Sequence, residues 1–323
     1  MRPDPALLAR FKVDLQKLTE GRPEALGVAV SGGPDSLALL LLAAAAYPGR
    51  VHAATVDHGL RDESADEARF VERVCADLGV PHQILAPGWT AAPSSNVPAQ
   101  ARQARYNALM EWAAREGFGW VATAHHVDDQ AETLLMRIAR GAGVAGLAGV
   151  RGINSWLGQR TDSLVRPLLG WRKIELIEIV EAAGLTPVDD PTNDDDRLDR
   201  THARRLLDAT PWLEPGRIAA TAANLLDAEE ALAWTTGRVV EARLRRAKDG
   251  TSITIDPVGL PRELQRRLLL QGLSHFTDEI AIPGPKLMTL LDSLLAGRTA
   301  TLAGVKVEAG DKWRLTLAPP RRS

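Results

Sequence analysis

Four short apolar runs in the first half of the 323-residue chain are each followed by a longer segment with a helical pattern. The runs are ALGVAV, VHAATV, HQIL and WVATA, at residues 25–30, 51–56, 82–85 and 120–124. Continuously apolar strands separated by helices are typical of a parallel sheet that is covered on both faces. Since such crossovers are right-handed, we predict a doubly wound α/β fold with a ligand crevice at the carboxyl ends of the strands.

The pattern changes towards the C-terminus. The elements predicted there are a strand at 163–169, helices over 171–183, 216–247 and 261–275, and short strand-like pieces near 299–317. Pro211 and Pro215 interrupt the chain just before the long helical patterns begin. We therefore expect a larger domain of residues 1–213 and a smaller, mainly helical domain of residues 214–323 that ends in short strands.

Composition excludes several classes of protein. Cys75 is the only cysteine, which rules out an intrachain disulfide and argues against a cysteine zinc site or an iron–sulfur cluster. The longest apolar run, residues 37–47, is too short to cross a bilayer. The first 25 residues alternate charged with apolar side chains and do not form a signal-peptide core. We expect a soluble, cytoplasmic protein.

Charge is unevenly distributed along the chain. The formal net charge is −2, yet residues 201–323 carry 18 Lys and Arg against 14 Asp and Glu. This excess favours an anionic partner on the C-terminal side, and solvated helix faces are the alternative explanation.

The turn SGGPDS (31–36) lies directly after a predicted strand and directly before a predicted helix. Gly32 and Gly33 let the backbone approach a phosphate, and the helix N-terminus presents unpaired N–H groups to it. The turn matches neither a Walker A loop nor the GxGxxG of dinucleotide sites, and an ordinary capped turn is the structural alternative. Asp35 would repel a phosphate unless a cation bridged the two, which predicts Mg²⁺.

SGGPDS resembles the SGGxDS signature of the PP-loop ATP pyrophosphatases, which adenylate a carbonyl oxygen and release pyrophosphate. Five further segments extend the resemblance over about residues 25–205. They are VDHGLR (56–61), QARQARY (100–106), AHHVDDQAET (124–133), RGAGVAGLAGV (140–150) and DDPTNDDDRLDRTHAR (189–204). Their order and spacing are similar to those of the tRNA(Ile)-lysidine synthases.

That resemblance implies a two-step reaction on the wobble cytidine of tRNA(Ile) with the anticodon CAU. ATP adenylates the 2-carbonyl oxygen of the cytosine ring, and pyrophosphate leaves. The side-chain amine of free lysine then attacks that carbon and expels AMP, which changes codon reading from AUG to AUA. The implied cofactors are ATP and Mg²⁺, and the implied partners are tRNA(Ile) and lysine. The sequence leaves the oligomeric state open between a monomer and a homodimer.

Within AHHVDDQAET the resemblance assigns Asp128 and Asp129, together with Asp35, to Mg²⁺, and it places His126 near the α-phosphate. Asp129 and Glu132 also have capping-box spacing, so a purely structural role is the alternative. An acid such as Asp35 or a histidine would accept the proton of the lysine amine, and the sequence does not choose between them.

QARQARY places Arg102 and Arg105 on one helix face, and the resemblance assigns Arg105 to catalysis at the α-phosphate. A solvated helix face is the alternative. ATP binding is assigned to the phosphate turn and to the end of the second strand, namely Ser31, Gly32, Gly33, Pro34, Asp35, Ser36, Asp57 and His58. For the last two residues, strand-end capping is the alternative.

Basic residues that follow the turn DDPTN form a helix face suited to RNA phosphates. The arginines assigned to tRNA there are Arg197, Arg200, Arg204 and Arg205. We assign the domain of residues 214–323 an accessory, tRNA-binding role.

Two other functions compete with this prediction. A tRNA thiolase of the same superfamily would normally need paired cysteines, and Cys75 is alone. A nucleotide-binding RNA module without catalysis would be expected to have lost some of Asp35, Arg105 and Asp129, all of which are present.

Overall fold

The computed structural model describes residues 3–21, 23–57, 64–87, 97–155, 163–188, 199–276 and 282–319. The chain divides into two compact units, residues 1–226 and 227–323. This division falls within a helix that runs from Pro215 to Arg243, whereas the boundary expected from the sequence lies just before that helix begins. In the described ranges, no helix combines the length and the apolar character that a membrane span requires.

The first unit alternates strands with helices. Its elements are α1 (Pro5–Thr19), β1 (Leu26–Ala29), α2 (Pro34–Ala46), β2 (Val51–Val56), α3 (Ser64–Asp77), β3 (His82–Leu85), α4 (Val97–Glu116), β4 (Trp120–Ala122), α5 (Val127–Ala139), α6 (Val144–Leu147), β5 (Ile153–Ser155), β6 (Ser163–Val165), α7 (Lys173–Ala182) and α8 (Asp199–Asp208). The strands form one sheet in the order β3-β2-β1-β4-β6-β5. All neighbours are parallel except β5 and β6. The predicted doubly wound parallel sheet is confirmed.

The direction of winding changes at β1. Val28 of β1 pairs with Ala53 of β2 on one side and with Ala122 of β4 on the other. The chain therefore moves outward through β2 and β3 and then returns to the far side of β1. Ligands of doubly wound sheets bind at such a switch point, beyond the carboxyl ends of the strands. The phosphate turn at 31–36 lies at this place.

Packing holds both faces of β1 in position. On one face lies α2, whose Leu37, Leu39 and Leu40 are fully buried, as expected of a helix that is apolar all round. On the other face, a Cβ at Gly27 would lie 2.9 Å from the ring of Trp112, so only glycine lets α4 pack this closely. The start of α2 is thus fixed at the crevice.

The second unit consists of the end of a long helix, α9 (Pro215–Arg243), and a five-stranded antiparallel sheet with two further helices. The later elements are β7 (Leu244–Arg246), β8 (Ser252–Ile255), α10 (Arg262–Leu273), α11 (Gly284–Leu295), β9 (Ala300–Leu302), β10 (Val305–Glu308) and β11 (Trp313–Leu317). The sheet order is β7-β8-β11-β10-β9. A smaller C-terminal region of helices followed by short strands is confirmed.

The helix predicted over 216–247 ends earlier than expected, at Arg243. The chain instead forms a hairpin of β7 and β8 around Gly250, which has a φ of +70°. The N–H of Thr251 donates to Oδ1 of Asp249 at 3.1 Å and stabilises the turn. Pairing across the hairpin places Ile253 in the buried core, and this gain overrides the helical pattern.

Candidate active site

The phosphate turn is shaped by its own backbone and by close packing. Gly32 has a φ of +88°, and a Cβ there would lie 3.2 Å from Cγ2 of Val188. Oγ of Ser36 accepts a hydrogen bond from the N–H of Ser31 at 3.1 Å and donates one to the carbonyl of Gly33 at 3.0 Å. The turn is therefore preorganised, with the N-terminus of α2 directed at the crevice.

The remaining residues assigned to ATP lie beside this turn. Pro34 is the first residue of α2, and Asp35 lies in its first turn. Asp57 directly follows β2, and its N–H donates to the carbonyl of Leu85 at 2.9 Å. His58 lies outside the described residues.

His126 is surrounded by three carboxylates. Its Nε2 lies 3.4 Å from Oδ2 of Asp35 and 3.6 Å from Oδ2 of Asp129, and its Nδ1 lies 3.5 Å from Oδ2 of Asp128. The ring is 4% exposed. Burial lowers the pKa of His126, but the surrounding carboxylates outweigh it and raise the pKa to about 10. The structure thus brings the three predicted carboxylates together around the predicted histidine.

Asp128 is turned away from the phosphate turn. One of its oxygens accepts a hydrogen bond from the N–H of Lys173 at 2.8 Å, and both oxygens lie 3.4 Å from the guanidinium of Arg172. Burial raises the pKa of Asp128, but His126, the Lys173 N–H and Arg172 together lower it below its usual range. Asp128 therefore connects His126 to the start of α7.

Asp35 and Asp129 offer oxygens that suit a divalent cation. Oδ1 of Asp35 is buried and has no hydrogen-bond partner among the described residues. Oδ2 of Asp129 accepts the N–H of His126 at 3.1 Å, while Oδ1 lies 3.8 Å from Arg200. In the described ranges no group of three or more His, Cys, Asp or Glu has the arrangement of a metal site. Mg²⁺ in phosphate sites uses one or two carboxylates together with the substrate phosphates, which these two residues fit.

Glu132 ties α5 to α8 by two ion pairs. Its side chain is 5% exposed, with Oε1 2.6 Å from Nε of Arg204 and Oε2 2.9 Å from Nε of Arg200. Burial raises the pKa of Glu132, and the two guanidinium groups act against that rise. Two of the arginines assigned to tRNA thus point at an acid of the protein itself. Arg205 is exposed on α8, and Arg197 lies outside the described residues.

The pKa of His125 is shifted in the opposite direction to that of His126. Its Nδ1 lies 3.1 Å from the hydroxyl of Thr123. The pKa of His125 is lowered to about 3, mainly by burial; Asp129 acts against this lowering, and the charges of Arg166, Arg102 and Arg200 add to it. The sequence analysis missed Arg166, which directly follows β6, although a charged residue after an apolar strand is a usable signal. Arg105 lies on α4 with an exposed side chain, one turn after Arg102.

Comparison with known proteins agrees with this fold. A family model described as a PP-loop domain matches residues 7–210. A solved structure of the U34-tRNA thiolase NcsA from Methanococcus maripaludis superposes with a TM-score of 0.56 at 20% identity, covering 69% of this chain and 80% of that one. The latter likeness concerns the fold alone. The first unit is therefore a PP-loop domain.

Two curated relatives extend the similarity beyond that domain. A tRNA(Ile)-lysidine synthase from Zymomonas mobilis subsp. mobilis is 47% identical over 300 residues, which are 92% of this chain and 89% of the relative. A tRNA(Ile)-lysidine synthase from Novosphingobium aromaticivorans is 45% identical over 317 residues, 98% and 95% of the two chains. The chain belongs to the tRNA(Ile)-lysidine synthase family.

Proposed function

We propose that the protein is an ATP-dependent ligase that joins lysine to the wobble cytidine of tRNA(Ile) with the anticodon CAU. The observation that carries this proposal is the position of Asp35 and Asp129 on either side of one ring nitrogen of His126, beside a preorganised phosphate turn. Family membership supplies the identity of the two substrates that the geometry alone does not name. The enzyme works in the cytoplasm, where its tRNA is found.

In the first step the chain positions ATP for attack by the cytosine oxygen. The phosphate turn binds phosphate through the backbone and the N-terminus of α2. Asp35 and Asp129 would hold Mg²⁺, which would neutralise phosphate charge and orient the nucleotide. Arg105 stabilises the charge that develops at the α-phosphate as pyrophosphate leaves. Asp57, which directly follows β2, would contact the adenosine, and the family resemblance assigns the same role to His58.

Asp128 acts as a positioning residue in this proposal, which refines the metal-binding role expected from the sequence. Its two oxygens are already used by Arg172 and by the N–H of Lys173. From that fixed position it faces Nδ1 of His126 and so orients Nε2 towards Asp35 and Asp129. His126 in turn donates towards the phosphate end of the crevice.

In the second step the lysine amine attacks the activated ring carbon, and AMP leaves. Adenylation has already converted a poor leaving group into a good one, so positioning accounts for most of the protein's contribution. The wobble base must leave its stack to reach the crevice, at a cost on the order of a few kcal/mol.

Residues 214–323 form an accessory domain for tRNA in this proposal, supported by the positive charge of the C-terminal part. Several of its arginines hold the unit together instead of facing outward. Arg243 donates to Asp256 at 2.8 Å, and Arg267 forms a bidentate pair with Glu229. The RNA contacts therefore fall to exposed donors such as Arg246.

The direct test is incorporation of lysine into RNA. The protein is incubated with MgATP, radiolabelled lysine and a transcript of tRNA(Ile) with the CAU anticodon, and acid-precipitable label is counted. We expect label with this transcript and none when the wobble cytidine is replaced by uridine. Absence of label from the CAU transcript, while the protein still binds MgATP, would overturn the proposal.

A further inference from the structure

Among the described residues, three arginines have no carboxylate to pair with, and one of them directly follows a strand at the carboxyl end of the sheet. Arg102 on α4, Arg137 on α5 and Arg166 after β6 form no ion pair with any acid in the described part of the chain. Burial lowers the pKa of Arg137 and of Arg166, and the charge of Arg102 lowers each further. Arg102 is therefore close enough to repel each of the other two arginines.

Arg166 is the most unusual of the three because it is buried. The residue is 5% exposed, and its Nε is buried without a hydrogen-bond partner. Nη1 donates to the carbonyl of Arg151 at 2.6 Å, and the side chain also hydrogen-bonds Tyr106. These are neutral acceptors. A buried guanidinium without an opposite charge is costly, so an anionic ligand would relieve a real penalty at this place.

The other two arginines are fixed around it by neutral groups. Nη1 of Arg137 donates to the carbonyls of Gly146 at 2.7 Å and Gly149 at 3.0 Å. The guanidinium of Arg102 lies 5.1 Å from the centre of the Tyr106 ring, whose hydroxyl side faces Arg166 through the hydrogen bond described above. The cluster is thus a built arrangement rather than a scatter of mobile surface charges.

The sheet order separates this cluster from the nucleotide. The phosphate turn follows β1, and the adenosine side lies at β2. Arg166 follows β6, which lies beyond β4 on the opposite side of β1 from β2. A second substrate that meets the α-phosphate must approach from the β4 and β6 side, since the β2 side is taken by the adenosine.

We propose that Arg102, Arg137 and Arg166 form a phosphodiester site that holds the RNA backbone next to the reacting base. This inference rests on the proposed function, because it takes RNA to be the second substrate. A guanidinium fork matches phosphate oxygens in a bidentate manner without a metal ion. The phosphates of ATP and of pyrophosphate are instead served by the phosphate turn and by the acidic side of the crevice.

The test compares Arg102→Gln with a matched control on the same helix. Arg102 is exposed, so its replacement leaves the core intact. Arg115→Gln removes an equally exposed arginine about 20 Å further along α4. Binding of a tRNA(Ile) transcript with the CAU anticodon is followed by fluorescence anisotropy from 50 to 300 mM KCl. Over this range the Debye length falls by roughly half or slightly more.

We expect Arg102→Gln to bind the transcript about tenfold more weakly, as for loss of one charged hydrogen bond, and to reduce the slope of log affinity against log salt by about 0.7. Arg115→Gln should match the parent, Arg102→Lys should recover the slope, and MgATP affinity should not change in any of them. Arg166→Gln should act in the same direction in preparations whose circular dichroism matches that of the parent.

Two outcomes would overturn the site. One is an unchanged affinity and slope in Arg102→Gln. The other is unchanged tRNA binding combined with weaker inhibition by inorganic pyrophosphate, which would make pyrophosphate the ligand. Failure of the proposed function is distinguishable, because the parent itself would then neither bind nor modify the transcript.

Discussion

His125 and His126 are neighbours in the chain, yet the pKa of one is lowered and the pKa of the other is raised. Around His126 stand Asp35, Asp128 and Asp129, and the pKa of the ring is raised to about 10. For His125 burial is the largest cause of a pKa that is lowered to about 3; Asp129 opposes this lowering, and the charges of Arg166, Arg102 and Arg200 act with it. The crevice therefore has an acidic side, which suits phosphates carried with Mg²⁺, and a basic side, which suits phosphates without it. In this proposal one edge of the sheet binds one anionic substrate through carboxylates and Mg²⁺, and the other through arginines.

The largest effect is expected from removing the acidic side. Asp35→Asn keeps the size of the side chain but removes the charge that is proposed to hold Mg²⁺ at the phosphate turn. Pyrophosphate release should fall by roughly three orders of magnitude or more, since metal and orientation are lost together. The measurement is pyrophosphate release at saturating Mg²⁺ with tRNA and ATP. Near-parental turnover in a folded Asp35→Asn protein would contradict the role of this side.

Arg105→Ala should give the next largest effect. If Arg105 stabilises charge that develops as pyrophosphate leaves, the rate of adenylation should fall by about 10²–10³, with little change in ATP affinity. Single-turnover rates at saturating ATP, measured beside equilibrium ATP binding, separate the two quantities. A change confined to KM would show that Arg105 contributes only to ground-state binding.

Removal of divalent metal should distinguish ligand binding on the acidic side from ligand binding on the basic side without any mutation. In excess EDTA, ATP affinity should fall by roughly tenfold or more, because the carboxylates then repel the triphosphate. Affinity for the tRNA transcript should stay within about twofold at constant ionic strength, because guanidinium groups need no metal. Calorimetry for ATP and anisotropy for tRNA give both numbers. Equal losses of affinity for ATP and for tRNA would contradict the proposed difference between the acidic and the basic side.

The two histidines should also have opposite effects on how the free energy of unfolding depends on pH. The protein is measured in EDTA without ATP. The lowered pKa of His125 means that the unfolded chain binds its proton first, so stability is lost as pH falls from about 6.5 towards 3. The raised pKa of His126 means that stability is lost as pH rises from about 6.5 towards 10. His125→Gln should flatten the acid limb and His126→Gln the alkaline limb, each by about 1–2 kcal/mol.

Urea unfolding at intervals of pH measures these limbs. Parallel curves for both variants and the parent would mean that the two imidazoles do not titrate differently between the folded and unfolded chain.

Local patterns predicted the parts of the site that are built locally. SGGPDS between a strand and a helix was sufficient for the phosphate turn, because backbone geometry and the helix N-terminus define it. The alternation of apolar runs likewise predicted the order of α/β elements. Three short strands were not predicted, namely β5, β7 and its hairpin partner β8. β5 has three residues, which are too few to show an alternating pattern. β7 continues a helical sequence pattern, which ends only at the turn of Asp249 and Gly250.

Contacts between distant segments could not be read from the sequence. The family resemblance assigned Asp128 to the metal, but its partners Arg172 and Lys173 lie at the start of a helix more than forty residues later. For Glu132 the sequence offered capping-box spacing with Asp129, whereas the structure pairs its carboxylate with Arg200 and Arg204 of α8. Whether an acid faces a ligand, a helix end or an arginine depends on packing, which one sequence does not report.

The most direct test of the account is to locate the product and count the leaving groups in one reaction. The CAU transcript is modified with MgATP and lysine, digested by nuclease and analysed by mass spectrometry, while pyrophosphate and AMP are measured in the same tube. The account predicts lysine on the wobble cytidine alone, with one pyrophosphate and one AMP released per lysine, and none of these with Asp35→Asn. Lysine at another nucleotide, or release of ADP and phosphate instead, would contradict it.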